Sequence, residues 1–471
     1  TAQAATITVN SSAGTLTDSG KCTLRGAVSS VNAGSNQNNC AAVVSPDAYG
    51  SNDTITFDTT VFSAATTITV SPEITITRSL TVNGLLDGSG DPLITLDGNS
   101  ATTIFGVAGT VSLDISGLIF QNGRNMGCCG GAINGYVVNI NNSVFTGNQA
   151  GFGGAIIARI ASVSNSVFIG NRASVSSGGG AIFTADTVNI SNSVFIDNQA
   201  GSTGGAVLTL DTANISNSTF TNNRAYGTNS YGGAIRAYNT ANLSNSTFIG
   251  NHADNSGGAI VVGETLEASH LTLFDNSAGQ NGAAIFMDDN SSGSIHNSLI
   301  LSSVALVGAS TLCEMGSNSS ISGSYNIEWV NGTDTTSCGG VNNVPGGSGG
   351  IGAIVATALA DNGGPTPTLA LPAGSPAIGA VDPGGATSRM LVINFSPPPM
   401  TATWEDATLD QRGVARAAAA AERSLGAFEY KAPPPPPVNA APIPVLPAPL
   451  ALLLALGLAG IGFRKLKIVG S

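Results

Sequence analysis

A phrase of about 25 residues repeats between Phe120 and Ile285, and it restricts this chain more than any other feature. Each copy carries a Gly-Gly-Ala-Ile block or a near variant, an alternating polar and β-branched run, a Phe and, in the central copies, an Asn three residues later. The phenylalanines are Phe120, Phe145, Phe168, Phe195, Phe220, Phe248 and Phe274, in steps of 25, 23, 27, 25, 28 and 26 residues. The glycine blocks keep the same time, from Gly130-Gly131-Ala132-Ile133 through Gly179-Gly180-Ala181-Ile182 to Gly282-Ala283-Ala284-Ile285. A fixed period in this range specifies stacked units that bury their apolar sides against one another. Propeller blades take about 40–45 residues, and leucine-rich repeats need a Leu framework that this chain lacks.

Within one unit, Val188 to Ala206, the spacing is that of strands. Ile190 and Asn192 share one parity and Phe195 has the other. Alternate residues of a strand face opposite ways, so the chain turns a corner near Asn192-Ser193. Gly204-Gly205 marks a second corner, since glycine tolerates the sharp bend and close approach. The expected unit is three short strands, and the expected fold is all-β: a single-stranded, right-handed parallel β-helix. Roughly ten coils from Ile55 to Ile300, at about 4.8 Å each, make a rod near ~50 Å long. Stacking aligns the seven phenylalanines into a core ladder and Asn142, Asn165, Asn192, Asn217 and Asn245 into an Asn ladder, as stacked identical side chains favour. Length differences fall between the FxxN segment and the GGA block, which puts the variable loops on one side of the rod.

Charged residues are only 9% of the chain, so its surface is built mainly from Ser, Thr, Asn and Gly. The net charge of −12 makes nucleic acid a poor partner. This composition suits an exported protein, where six cysteines read as disulfides. Proximity in sequence favours Cys22 with Cys40 and Cys313 with Cys338. Cys128 and Cys129 remain, as a vicinal disulfide or as two buried thiols at a coil corner.

Residues 1–50 form the expected N-terminal cap. Ala2-Gln3-Ala4 has the small-residue pattern that precedes a signal-peptidase cut, an expectation N-terminal sequencing would check. Lys21-Cys22-Thr23-Leu24-Arg25-Gly26-Ala27-Val28 resembles the CSLREA motif of bacterial secreted β-helix proteins, with Thr23 and Gly26 departing from it. Leu24, Ala27 and Val28 have helical spacing, and a short amphipathic helix there would cover the open first coil. Arg25 then serves as an ion-pair or carbonyl clamp. Residues 51–300 are the β-helix repeats, and they resemble those of polymorphic outer-membrane proteins. Residues 301–350 hold the terminal coils and the disulfide loop.

Residues 351–430 contain Asp361-Asn362-Gly363-Gly364-Pro365, Gly374-Ser375-Pro376-Ala377-Ile378, Asp410-Gln411-Arg412-Gly413 and Leu425-Gly426-Ala427-Phe428-Glu429. Together these resemble the choice-of-anchor Q region of bacterial surface proteins. Pro367, Pro372 and Pro376 preclude a regular central strand, so the expectation is a segment that wraps the last coils and closes that end. A Pro-rich spacer occupies 431–446. Residues 447–471 combine an apolar run with a basic tail, Arg464, Lys465 and Lys467, and the expectation is a hydrophobic helix at the short limit for spanning. With Pro444 and Pro447 ahead of it, the tail resembles the sorting signals processed by exosortase-like enzymes; a permanent membrane anchor is the alternative.

Many parallel β-helices act on polysaccharides, and such a site gathers carboxylates, or carboxylates with Arg or Lys, on one face. The acidic candidates are Asp186, Asp197, Asp211, Asp254, Asp275, Asp288 and Asp289. Asp186 and Asp211 share an offset from adjacent GGA blocks, which admits a Ca²⁺ site but reads more simply as a turn signature. Arg159 and Arg236 have no acidic partner in their own coils. His252, His270 and His296 fall at unrelated repeat phases, which argues against a metal or triad site, and the GG pairs precede strands rather than phosphate-binding helices. The expectation is a non-catalytic exported surface protein, structural or adhesive, without cofactor or metal. Its expected partners are surface or matrix glycans, copies of itself, and the membrane through its tail. A carbohydrate-active β-helix lyase or hydrolase is the alternative.

Overall fold

The computed structural model describes residues 4–42, 49–50, 53–174, 178–339, 343–347, 349–381, 389–394, 401–406, 408–417 and 423–430. The expected spacer, apolar run and basic tail, including Pro444, Pro447, Arg464, Lys465 and Lys467, lie outside them. Nearly all regular structure is parallel β, stacked into a solenoid of about ten turns. A central coil has four strands rather than the three expected. In the coil entered at Gly179 they are Ile182–Thr184, Val188–Ser191, Val194–Ile196 and the two-residue Gln199–Ala200. Successive coils build sheets I, II, III and IV from these, with 10, 12, 12 and 7 strands. The fourth strand follows from one residue. Asn198 bends the chain after sheet III, its side chain bound to the two neighbouring coils, and two residues pair before the loop resumes.

The core is a set of stacked columns. Phe120, Phe145, Phe168, Phe195, Phe220 and Phe248 lie parallel, with ring centroids 4.7–5.0 Å apart and planes within 3–6°. The spacing is that of neighbouring strands, which puts the rings face to face. Phe274 is not among them. Leu273 pairs with Phe248, and Phe274 pairs with Ile249 on the outer face of sheet III. Asn276 holds the register three residues after Leu273, so alternation along the strand turns Phe274 outward. There it is buried beneath the C-terminal segment.

The expected Asn ladder does align at one corner, but a second Asn set carries the side-chain hydrogen bonds. Asn142, Asn165, Asn192, Asn217 and Asn245 occupy the corner between sheets II and III, with φ between +45° and +50°. Asn tolerates this left-handed geometry better than other residues with a Cβ. The hydrogen-bonded column is Asn148, Asn171, Asn198, Asn223, Asn251 and Asn276, three residues beyond Phe145, Phe168, Phe195, Phe220, Phe248 and Leu273. Each amide of the first five donates to the next Asn Oδ1 at 2.9–3.0 Å, and all six also donate to a Phe carbonyl of the preceding coil, as from Asn198 to Phe168. A serine column went unread: the N–H groups of Ser143, Ser166, Ser193 and Ser218 donate to the Oγ of the next coil's serine at 3.1–3.2 Å. The side chains of the hydrogen-bonded Asn column and of these serines are therefore paired, as burial requires.

At the N-terminal end Thr6–Val9 is the first strand of sheet II, so the region expected to be only a cap also contributes to the stack. Helix α1, Leu24–Ala33, covers it with Leu24, Ala27, Val28 and Val31 buried. Thr23, where the motif departs from Ser, is its N-cap and accepts from the Gly26 N–H. Arg25 clamps carbonyls of Gly14, Pro72 and Glu73. Disulfides join Cys22 to Cys40 and Cys313 to Cys338.

The other end is closed by the disulfide loop: Cys338 is buried in the main core, and the inward-facing Glu328 accepts from its N–H and from Asn343. The described residues between 351 and 430 instead run along the flank, over the outer face of sheet III. Ile354, Leu369, Leu371, Leu425 and Phe428 bury Phe274, Leu299, Leu301, Ile327 and Trp329. The two conspicuous motifs form one clamp there. Gln411 bonds Thr219, Thr247 and Thr366; Arg412 pairs with Asp410 and lies 3.6 Å from the Phe428 ring centre; Arg416 pairs with Glu429 at 3.1 Å and reaches Asn245. Burial pushes the Arg416 guanidinium down and the Glu429 carboxyl up, and each charge works against that on the other. No described helix is long and apolar enough to cross a membrane.

Candidate functional site: a trough on the open face

Sheet I follows each GGA block, and the middle residue of each of its strands points away from the core. Over three coils these are Arg236, Val261 and Phe286, aligned by strand register. Loops rise on both sides. One wall is the insert column Tyr231, Ser256 and Asn281, bridged in parallel from coil to coil. The other is the turn into sheet II: Tyr238, then Gly263-Glu264, then Asp288-Asp289-Asn290. Gly263 lies against the Tyr238 backbone, where a Cβ would meet its carbonyl oxygen at 1.7 Å. The walls and floor enclose a trough of about 950 Å³ lined by Arg236, Tyr231, Tyr238, Glu264, Phe286, Asp288 and Asp289 with surrounding amides.

Arg236 organises the trough. Its side chain is 7% exposed, with Nη2 2.5 Å from Asp288 Oδ2. The guanidinium carbon stands 4.4 Å from the Tyr238 ring centre and 5.9 Å from that of Tyr231, within the range of cation–π attraction. Nε and Nη1 are buried with no oxygen partner. Asp288 comes from two coils further on, so the arginine without an acid in its own coil finds one along the rod axis. Arg159 does the same with Asp186, one coil on, and lies over Tyr136.

The remaining acids are held in turns. Asp211 accepts from Asn239, Asp275 from Ser303, and Asp289 from the Ser317 N–H. Asp197 and Asp275 have φ of 54° and 50°, in a corner where glycine or Asn stands in other coils. Burial pushes the Asp197 carboxyl up, partly offset by Asn222. Burial also acts to raise Asp254, but the Gly227 N–H and the Arg224 guanidinium outweigh it and hold that carboxyl below the usual range. His252 contacts Ser277 and Asp254, His270 occupies an Asn corner position, and His296 contacts Ser324. Asp186 and Asp211 bind separate partners, and no described group of three or more His, Cys, Asp or Glu is arranged to hold a metal ion. Cys128 and Cys129 are free thiols with sulfurs 2.8 Å apart; Cys128 is exposed, so the pair is not buried as expected. Burial and the neighbouring Cys128 push the Cys129 thiol up to about 11.

Of the expected acids, only Asp288 and Asp289 enter the trough. Tyr231, Tyr238, Glu264 and Phe286 were not anticipated. A signal was present: the chain has seven tyrosines, and two of them bracket one Gly-Gly-Ala-Ile-Arg block.

The model of the Chlamydia polymorphic membrane protein repeat matches residues 165–185, 217–238 and 245–263. These segments are pieces of the strand-and-corner unit, and the chain is similar to that repeat there. No curated protein and no solved structure matches the chain.

Proposed function

We propose that this chain is a non-catalytic, exported surface rod, structural or adhesive, displayed through its C-terminal tail. The observation that carries the reading is the stack itself: ten parallel coils, similar in three places to a repeat of a polymorphic membrane protein, closed at both ends and carrying two disulfides. Disulfides persist in oxidising compartments, and the Ser, Thr and Asn surface is suited to water and glycans. The resemblance of residues 21–28, 351–430 and 444–467 to CSLREA, choice-of-anchor and sorting-signal segments supports the same reading. Antibody labelling of intact against permeabilised cells tests display; signal only after permeabilisation overturns it. Intact mass of the protein from membrane and medium tests the tail, with a terminus near Pro444–Pro447 expected if sorting cleaves it.

The enzyme reading draws on one observation, the gathering of Arg236, Glu264, Asp288 and Asp289 around a trough. Their environments favour binding. Asp288 is tied to Arg236, Asp289 caps a turn, and Glu264 is exposed on another turn.

A further inference from the structure

We infer that the trough on sheet I is a binding site for a neutral polysaccharide chain lying along the rod axis, with Tyr238 as its stacking platform. Tyr238 is 42% exposed although its ring also packs on Arg236. Arg236 is nine-tenths buried, has two nitrogens, Nε and Nη1, without an oxygen partner, and is spent against the two tyrosines and Asp288. It is a positioning residue: it holds the Tyr238 ring upright and balances the nearest carboxylate.

Charge selects the ligand class. With Arg236 paired to Asp288, Glu264 and Asp289 leave the trough negative, so uronate, sulfated and phosphate chains are repelled. Carboxylates and amides accept hydrogen bonds from the hydroxyl rim of a neutral sugar, whose C–H face lies on an aromatic ring. A few convergent polar groups around an aromatic surface are the usual composition of a small-ligand cleft. An extended peptide is poorly served here. It would add to a free strand edge, but the floor is a sheet face whose strands are already paired to the coils before and after them. The floor runs through three consecutive coils in the stacking direction, so it suits a chain rather than a single sugar.

The inference rests on the non-catalytic reading, and the experiment separates the two. Affinity electrophoresis of the full chain is run in gels containing soluble hydroxyethylcellulose, soluble starch, galactomannan or polygalacturonate, with reducing ends assayed after long incubation. Retardation by a neutral polymer and not by polygalacturonate is expected, with at least tenfold weaker retention in Tyr238→Ala, near-normal retention in Tyr238→Phe, and no new reducing ends. Absence of retardation by all three neutral polymers overturns the site and leaves surface display intact. So does preference for polygalacturonate, or retention unchanged in Tyr238→Ala. New reducing ends would leave the site standing and overturn the non-catalytic reading.

Discussion

Two outer faces of the same rod have opposite fates. The outer face of sheet III is covered from Thr219 to Trp329 by the described residues between 351 and 430, whereas the outer face of sheet I stays open from Arg236 to Phe286. Beneath both faces lies one continuous apolar interior, in which the Phe column ends at Phe248 and Leu273 and Ile300 take its place. On the covered face almost every polar group has an assigned partner: the Thr219 hydroxyl donates to the Pro367 carbonyl and accepts from Gln411, and Ser424 and Arg416 satisfy Glu429. On the open face, carboxylates, amides and a tyrosine ring face solvent. A repeat therefore sets the interior, and the role of each face depends on what a few outward residues demand.

The largest effect is expected where the covering is locked. Arg416→Ala leaves Glu429 buried without its countercharge and should cost about 3–5 kcal/mol, releasing residues 351–430 to protease while the coils remain resistant. Equal resistance of that segment in the variant would mean that the clamp does not hold it. Phe248→Ala sits under both faces, and its cavity should cost about 3–5 kcal/mol. Because coils contact only their neighbours, denaturant titration should then split into two transitions; a single unshifted transition breaks the idea of a common interior. Asn198→Ala strands the Asn171 amide and the Phe168 carbonyl, at about 1–3 kcal/mol, seen as faster amide exchange confined to neighbouring coils.

Glu328 offers a pH test at the closed end. Burial raises its carboxyl, against the Cys338, Asn343 and Ser337 donors. Its folded value therefore lies above the unfolded one of about 4.3, so its stabilising contribution is full below that pH and is lost as pH rises through the folded value. The midpoint of wild type should fall relative to Glu328→Gln as pH rises from about 4, and parallel curves would remove the carboxyl from the account. The smallest effect belongs to the open face: Tyr238→Ala should shift stability by no more than about 0.5 kcal/mol, so any loss of glycan retention cannot be attributed to unfolding.

The period, the parallel stack, both disulfide pairs and the N-terminal helix were legible in the residues, because each rests on local spacing: a 25-residue beat, alternation, and apolar residues three and four apart. Register within a strand was less so. Phe274 looks like the next rung, but alternation counted from Asn276 hands the core position to Leu273. The two Asn sets are equally periodic in sequence; only the fold shows that one set bends corners with positive φ while the other carries the hydrogen-bonded column. Contacts between coils, such as Arg236 with Asp288 at a separation of 52 residues, are invisible to any reading within a single repeat. So was the path of residues 351–430 along the flank. Periodicity specifies what each coil shares with its neighbours, and tertiary structure alone decides which outward residues are brought together and which face is left open.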